Sequence, residues 1–328
     1  MKFLVTGCAG FIGHAVSLAL LQAGHRVVGI DNLNAYYSVT LKRLRLSELL
    51  KFPVFEFHQL DLAAPDALLE LPGRQDVDKV VHLAAQAGVR HSMTEPFPYV
   101  NSNIVGHLSV LEFCRRMPQR PELVYASSSS VYGLSDKSPF REDDAVGAPA
   151  SLYAVTKQTD ELMSEAYSSL YGIKQIGLRF FTVYGPWGRP DMAYWIFTRK
   201  AMAGELVRLF NHGRMERDFT YIDDAVAGVL AVVLNSRQGG GDGALHRIYN
   251  LGSGCAKPLQ SLVDAVATAT GREVFIEKHP HQPGDVKHTC ADISKIQAEY
   301  GFSPETVLSE GVSRFVDWFN SSPEFASI

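Results

Sequence analysis

The sequence predicts an α/β protein built on a doubly wound parallel sheet, with a smaller α/β domain drawn mainly from the C-terminal part of the chain. Three observations predict it. Short β-branched runs alternate with longer helical patterns through the first half. A glycine-rich turn separates the first run from the first helix. Beyond residue 193 the elements become shorter and mixed.

The first run, "KFLVTG" (2–7), is nearly all apolar, as a strand covered on both faces must be. Gly7, Gly10 and Gly13 follow as G-x-x-G-x-x-G and lead into a helix. Such glycines allow a tight turn and let backbone approach a pyrophosphate at the helix N-terminus, where free N–H groups and the dipole favour anions. The second run, "RVVGID" (26–31), ends in Asp31, 18 residues after Gly13. A carboxylate there can accept both ribose hydroxyls and would repel a 2′-phosphate, so NAD is predicted rather than NADP. The third, "VFEFHQLDL" (54–62), ends with Asp61 and Leu62 beside the adenine. "KVVHLAA" (79–85) and "LVYASS" (123–128) complete a Rossmann-type sheet, whose ligands bind beyond the carboxyl ends of the strands.

Helical patterns follow at 98–117, where Val100, Ile104, Leu108 and Leu111 keep helical spacing, and at 151–171. "QIGLRFFTVYG" (175–185) reads as one strand, "GPWGRPDMA" (185–193) as a loop, and "GGGDGALH" (239–246) as a surface loop. The predicted domains are a nucleotide-binding domain over 1–178, to which part of 218–245 returns, and a second domain mainly over 179–328.

Composition narrows the function. The 328 residues are 46% hydrophobic and 20% charged with a net charge of -4, so nothing favours nucleic acid or an anionic membrane. No run approaches the ~18 apolar residues of a membrane span. The start, "MKFLVTGCAGFIG", reads as strand and turn rather than a leader, which predicts a cytoplasmic protein. The cysteines at 8, 114, 255 and 290 have no CxxC spacing and read as free thiols. His279 and His281 read as loop residues, and no metal is expected.

Chemistry enters with "SLYAVTK" and "VYASSSSVYG". Tyr153 and Lys157 lie four apart, on one helix face, so an ammonium can stabilise a phenolate and make it a general base. Four serines, 127–130, stand where the fifth strand ends, at the ligand-binding edge.

Together these residues resemble the extended short-chain dehydrogenase/reductases, and more narrowly the nucleotide-sugar epimerases that act on UDP-glucuronate. The resemblance spans nearly the whole chain and is most specific in "DNLNAYYSVTLK" (31–42), "AAQAGVRHS" (84–92), "RFFTVYGPWGRPDMA" (179–193), "RDFTYIDD" (217–224) and "QPGDVKHTCAD" (282–292). It implies bound NAD, C4 oxidation to a 4-keto sugar and re-reduction from the opposite face, and a C-terminal domain holding UDP. Tyr153, Lys157 and Ser128 match the catalytic residues, and Asn103 a position near the cofactor. Phe11, Ile12, Asn32, Lys42, Leu83, Ala84, Ala85, Gln86, Ser127 and Phe180 complete the implied cofactor contacts. On the substrate side, Arg217 matches a diphosphate-binding arginine, Arg189 lies in a loop lining the UDP site, and Asp285 matches an acid that binds the uridine ribose. Arg90, Met192, Ala193, Asn211 and Gln282 are implied as further contacts. Gln282 stands where the UDP-galactose epimerases usually carry an arginine. Cys8 replaces a commoner alanine, small for small. The resemblance also implies a homodimer through helices 98–117 and 151–171, although a buried stripe would carry the same spacing.

Related dehydratases and decarboxylases often place an acid at the positions of Ser129 and Ser130. A 4-keto glucuronate is a β-keto acid that loses CO2 when its carboxylate bond aligns with the carbonyl π system. Ser129, Ser130 and Thr182 are read as neutral donors that hold that carboxylate without repelling it. The alternatives are an epimerase of neutral UDP-sugars, a UDP-glucuronate decarboxylase and a non-catalytic NAD-binding regulator.

Overall fold

The first strand, β1 (Lys2–Thr6), sends Phe3 and Val5 into one hydrophobic cluster and Leu4 into another, so its sheet is covered on both faces. The structure, a computed structural model, describes residues 1–135, 137–235, 243–282, 284–321 and 324–325. The further strands are β2 (Arg26–Asp31), β3 (Phe55–Gln59), β4 (Lys79–His82), β5 (Glu122–Ser128), β6 (Gln175–Phe180), β7 (Thr182–Tyr184), β8 (Val207–Leu209), β9 (Glu216–Tyr221), β10 (His246–Leu251), β11 (Ala256–Pro258) and β12 (Ile276–Lys278). The helices are α1 (Phe11–Gln22), α2 (Val39–Leu49), α3 (His91–Thr94), α4 (Pro96–Tyr99), α5 (Gly106–Arg116), α6 (Leu152–Tyr171), α7 (Ala193–Ala203), α8 (Ile222–Asn235), α9 (Leu259–Thr270), α10 (Ser294–Tyr300) and α11 (Leu308–Asn320).

The α/β class and the doubly wound parallel sheet are as the sequence predicts. Seven parallel strands run β10-β6-β5-β4-β1-β2-β3. The order reverses between β1 and β4, and a cleft opens there beyond the carboxyl ends of the strands. A three-stranded sheet, β11-β9-β7, and a two-stranded one, β12-β8, are built from the C-terminal half. No helix among the described residues is long and apolar enough to cross a membrane.

Four sequence readings need correction. The run 175–185 is two strands, because Phe181 leaves the large sheet with its N–H on Leu251 O (3.0 Å) and β7 pairs with β9 instead. No glycine or proline marks the break, so the apolar run reads as continuous. The third and fourth strands end early: β3 stops at Gln59, where its partner β2 ends at Asp31, and β4 stops at His82, where β1 ends at Thr6 before turning away at Gly7. The helix at 98–117 is interrupted by a wide π turn over Val100–Val105. Leu111 is buried in the core, Leu108 is exposed, and Val100 and Ile104 are half-buried, so the four-residue stripe does not keep one environment. Of the loop 239–246, residues 239–242 lie outside the described residues and His246 already belongs to β10.

Three histidines are buried against this sheet. Burial first, then Lys157, pushes His82 down to about 3, and burial holds His107, 5.2 Å away ring to ring, well below its usual value. His14 is pushed down to about 3 by burial and by Arg45. Each stays neutral when folded, whereas the unfolded chain protonates below about pH 6.5. Protons then favour the unfolded state, so stability is present above that pH and is lost as pH falls towards 3. Chemical denaturation at pH 7.5 and 5.0 is expected to give a lower midpoint at pH 5.0. His14→Phe, which keeps a ring against Trp187, is expected to flatten the loss by about 1.4 kcal/mol per pH unit. An unchanged slope in that variant would remove His14 from the account.

Candidate active site

The glycine turn is shaped by contacts that leave no space for side chains. Gly7 has φ +72°, and a Cβ there would lie 2.7 Å from Ala84 N. A Cβ on Gly13 would lie 2.0 Å from Gly7 O. Helix α1 starts at Phe11, within this turn, with Gly10 as N-cap and no side-chain cap, which leaves its N-terminus to an anion. Asp31 accepts Ala9 N (3.1 Å) through one carboxylate oxygen and Leu33 N (2.8 Å) through the other. The cradle and the oriented carboxylate fit a dinucleotide. Gly13→Ala is expected to strip the protein of bound dinucleotide, read as the 260 nm absorbance released on denaturation. A normal load would show that the backbone yields at Gly7.

The cleft wall contains Gly7, Gly10, Phe11, Ile12, Gly13, Asp31, Asn32, Lys42, Asp61, Leu62, Leu83, Ala84, Ala85, Gln86, Ser127 and Phe180. Lys42 Nζ donates to Asn34 O and Oδ1 (2.8 and 2.9 Å), and burial, partly offset by Asp31, brings its pKa to about 8. Asn103 is not in the wall. It sits behind it and clamps both ends of Gln86, accepting the N–H at 2.8 Å and donating to the carbonyl at 3.1 Å.

Tyr153, Lys157 and Ser128 enter the same cleft. Ser151 caps α6 by accepting Ala154 N (3.2 Å), which places Tyr153 in the first turn with its ring edge-to-face on Tyr99 (6.2 Å). Lys157 Nζ donates to Ala126 O (2.9 Å) and Asp160 Oδ2 (3.0 Å). Burial opposes its charge, but Asp160 and Tyr153 outweigh it and keep the ammonium protonated.

The four serines diverge. Ser127 Oγ donates to Glu161 Oε1 (2.5 Å), a carboxylate held bidentately by Arg179 (2.9 and 2.8 Å). Arg179 also donates to Tyr132 OH (3.0 Å), which donates to Asn250 Oδ1 (2.6 Å). Ser128 Oγ accepts Ser130 N (3.2 Å) and keeps its own proton to donate. Ser130 Oγ is buried with no hydrogen-bond partner among the described residues. Ser129 is half-buried, as is Thr182 at the start of β7. An acid therefore does underlie the serine run, supplied by α6 and already paired.

Two substrate-side groups form. Arg189 and Met192 line the cleft, with Ala193 opening α7 beside them. Arg189 grips Asp191 through two bonds (3.0 and 2.6 Å), and Tyr36 OH donates to the same carboxylate (3.0 Å). Away from that wall, Arg90 pairs with Asp285 (2.7 Å) and lies 4.7 Å over the Phe210 ring. Arg217 belongs to this group: burial lowers its pKa, with Asp285 opposing and Arg90 adding to the effect. Asn211 (φ +51°) donates to Arg214 O (2.8 Å), and Gln282 O accepts Asp285 N (3.4 Å).

Sequence reading assigned no role to Tyr36, Tyr37, Ser102, Phe181 or Val183, which also line the cleft. Paired aromatics in "NAYYS" directly after β2 were the available signal for the first two.

Residues 3–252 match the model of the NAD dependent epimerase/dehydratase family. The chain belongs to that family. Among its members, UDP-glucuronate 4-epimerase 2 of Arabidopsis thaliana is 45% identical over 97% of this chain and 76% of its own length. Protein CapI of Staphylococcus aureus is 43% identical over 97% of this chain and 98% of its own. The solved structure of UDP-glucuronic acid 4-epimerase from Bacillus cereus, in complex with UDP-glucuronic acid and NAD, superposes with a TM-score of 0.89 at 34% identity, covering 98% and 99% of the two chains. Within this epimerase/dehydratase scaffold, the helix carrying Tyr153 and Lys157 and the end of β5 carrying Ser128 face one dinucleotide cleft.

Proposed function

We propose that the protein is an NAD-dependent isomerase that converts UDP-glucuronate to UDP-galacturonate through a 4-keto sugar. The observation that carries this reading is the floor of the cleft. Tyr153, Lys157 and Ser128 meet there, and the nearby Glu161 carboxylate is neutralised by Arg179. NAD, when bound, takes a hydride from the sugar and returns it. Tyr153 removes and restores the O4 proton, the charge of Lys157 stabilises the phenolate, and Ser128 donates to O4. Ser129, Ser130 and Thr182 anchor the sugar carboxylate with neutral hydroxyls; the unpartnered Ser130 Oγ supports this assignment. Arg189, Met192, Ala193, Asn211, Arg217, Gln282, Arg90 and Asp285 hold UDP. That hold implies that the Arg90–Asp285 pair opens when the ribose enters.

We assign residues 1–178, with part of 218–245, to the NAD-binding domain and the rest mainly to the UDP-sugar domain. The packing of α8 on α1 supports that return. We also assign a cytoplasmic homodimer. Val155, Leu162 and Leu170 on α6, the last two 72% and 71% exposed, and exposed Leu108 on α5 offer apolar surface that a second copy would cover.

A proton NMR time course with UDP-glucuronate and no added reductant tests the function. Small H4 couplings with all carbons retained would establish the epimerase. UDP-pentose and CO2 would make it a decarboxylase, and turnover of UDP-glucose or UDP-xylose alone would move it to neutral sugars.

A further inference from the structure

Arg45, on α2, has a fully buried side chain, and its guanidinium reaches no carboxylate among its hydrogen-bond partners. A buried cation without a counter-ion is costly and persists only where its donors are well used. Here they are spent on main-chain carbonyls from two distant segments. Nη1 donates to Ala9 O (3.0 Å) in the glycine turn and to Tyr37 OH (2.7 Å). Nε and Nη2 donate to Trp187 O (3.0 and 2.6 Å), and Nη2 also to Gly188 O (2.8 Å). The peptide N–H of Ala9 is held by Asp31, so that residue is fixed from both sides.

The far segment needs such a hold. Trp187 has φ +61°, in the left-handed region that side chains disfavour. Its ring is packed by His14 (5.5 Å), Trp318 (5.3 Å) and Phe325 (5.4 Å). Gly188 has no space for a side chain, since a Cβ would lie 1.6 Å from Tyr194 OH. The turn leads straight into Arg189 and Met192, which line the cleft, whereas residues 185–188 do not.

We propose that Arg45 is a positioning residue that locks the Trp187–Gly188 turn to the dinucleotide turn, so that occupancy of the cofactor wall sets the substrate wall. The proposal rests on reading the cleft as a site for NAD and a UDP-sugar. Its donor geometry explains the residue type: the three nitrogens of one planar guanidinium serve four acceptors, which a lysine cannot do.

The test is hydrogen exchange at the Trp187 and Gly188 amides with NAD present and after NAD is stripped, in the native chain and in Arg45→Lys, alongside steady-state kinetics. In the native chain NAD is expected to slow exchange at both amides, although they do not line the cleft. In R45K that response is expected to vanish with NAD still bound, while α6 exchanges as before. KM for UDP-glucuronate is expected to rise about tenfold with kcat within about threefold. An NAD response that survives in R45K, a rise in exchange spread evenly over the chain, or a loss confined to kcat would each overturn the proposal. If R45K does not fold, Tyr37→Phe removes a single acceptor of Arg45 and is expected to weaken the response at the same two amides; an unaltered response would count against the proposal. The exchange arms need no turnover, so a protein that binds NAD but acts on another sugar fails only the kinetic arm.

Discussion

Tyr153→Phe is expected to lower turnover of UDP-glucuronate by about a thousandfold while NAD and UDP still bind. The variant loses one oxygen. Its ring keeps the edge-to-face contact with Tyr99, and its backbone N–H keeps the bond to Ser92 Oγ (3.3 Å). Lys157 remains charged on Asp160 and Ala126, so the electrostatics of the cofactor wall change little. What disappears is the group that accepts the O4 proton and gives it back. Initial rates by NMR, with calorimetric titration of UDP as the binding control, separate the two effects. Turnover within tenfold of the native rate would remove Tyr153 as the base. A parallel loss of UDP binding would give it a different role.

The second large effect is on stability. Arg179→Met is expected to cost about 3–5 kcal/mol, because it leaves the Glu161 carboxylate buried and uncompensated at the end of β5. It also removes the donor to Tyr132 OH, which keeps its own bond to Asn250 on β10. Adding Glu161→Gln is expected to recover much of the loss, since the penalty is for the unpaired charge more than for the missing bonds. Urea midpoints of the single and double variants check this. Equal losses in both would mean that packing, rather than charge, holds the network.

What was legible in the sequence is what lies close along the chain. The glycine turn, Asp31 at the end of β2 and the Tyr153–Lys157 pair are each set by local spacing, and all meet in one cleft. Of the serine run, Ser127 and Ser128 line the cleft, whereas Ser129 and Ser130 do not. The electrostatics of the run were not legible, because Glu161 and Arg179 reach it from α6 and β6, more than 30 residues further on. Arg45 was invisible for the same reason: within "LKRLRL" it looks like a solvated helix charge, and only the fold brings Trp187 and Gly188 over it. The break at Phe181 left no mark because both daughter strands are apolar, and the π turn at 100–105 left none because its backbone repeat is not written in its side chains.

The sheet order also governs how the chain can be made. The outer edge of β6 is closed only by β10, which the ribosome delivers roughly 70 residues later, or about 4–14 seconds at ordinary elongation rates. Throughout that interval a nascent chain that already carries the whole glycine turn presents an open apolar strand edge, bordered by the Arg179 guanidinium whose partner chain to Asn250 is still unmade. Truncation between residues 181 and 245 leaves the chain in that state. The first 180 residues alone are therefore a poor unit for expression, and slow translation of the C-terminal half would favour aggregation over function.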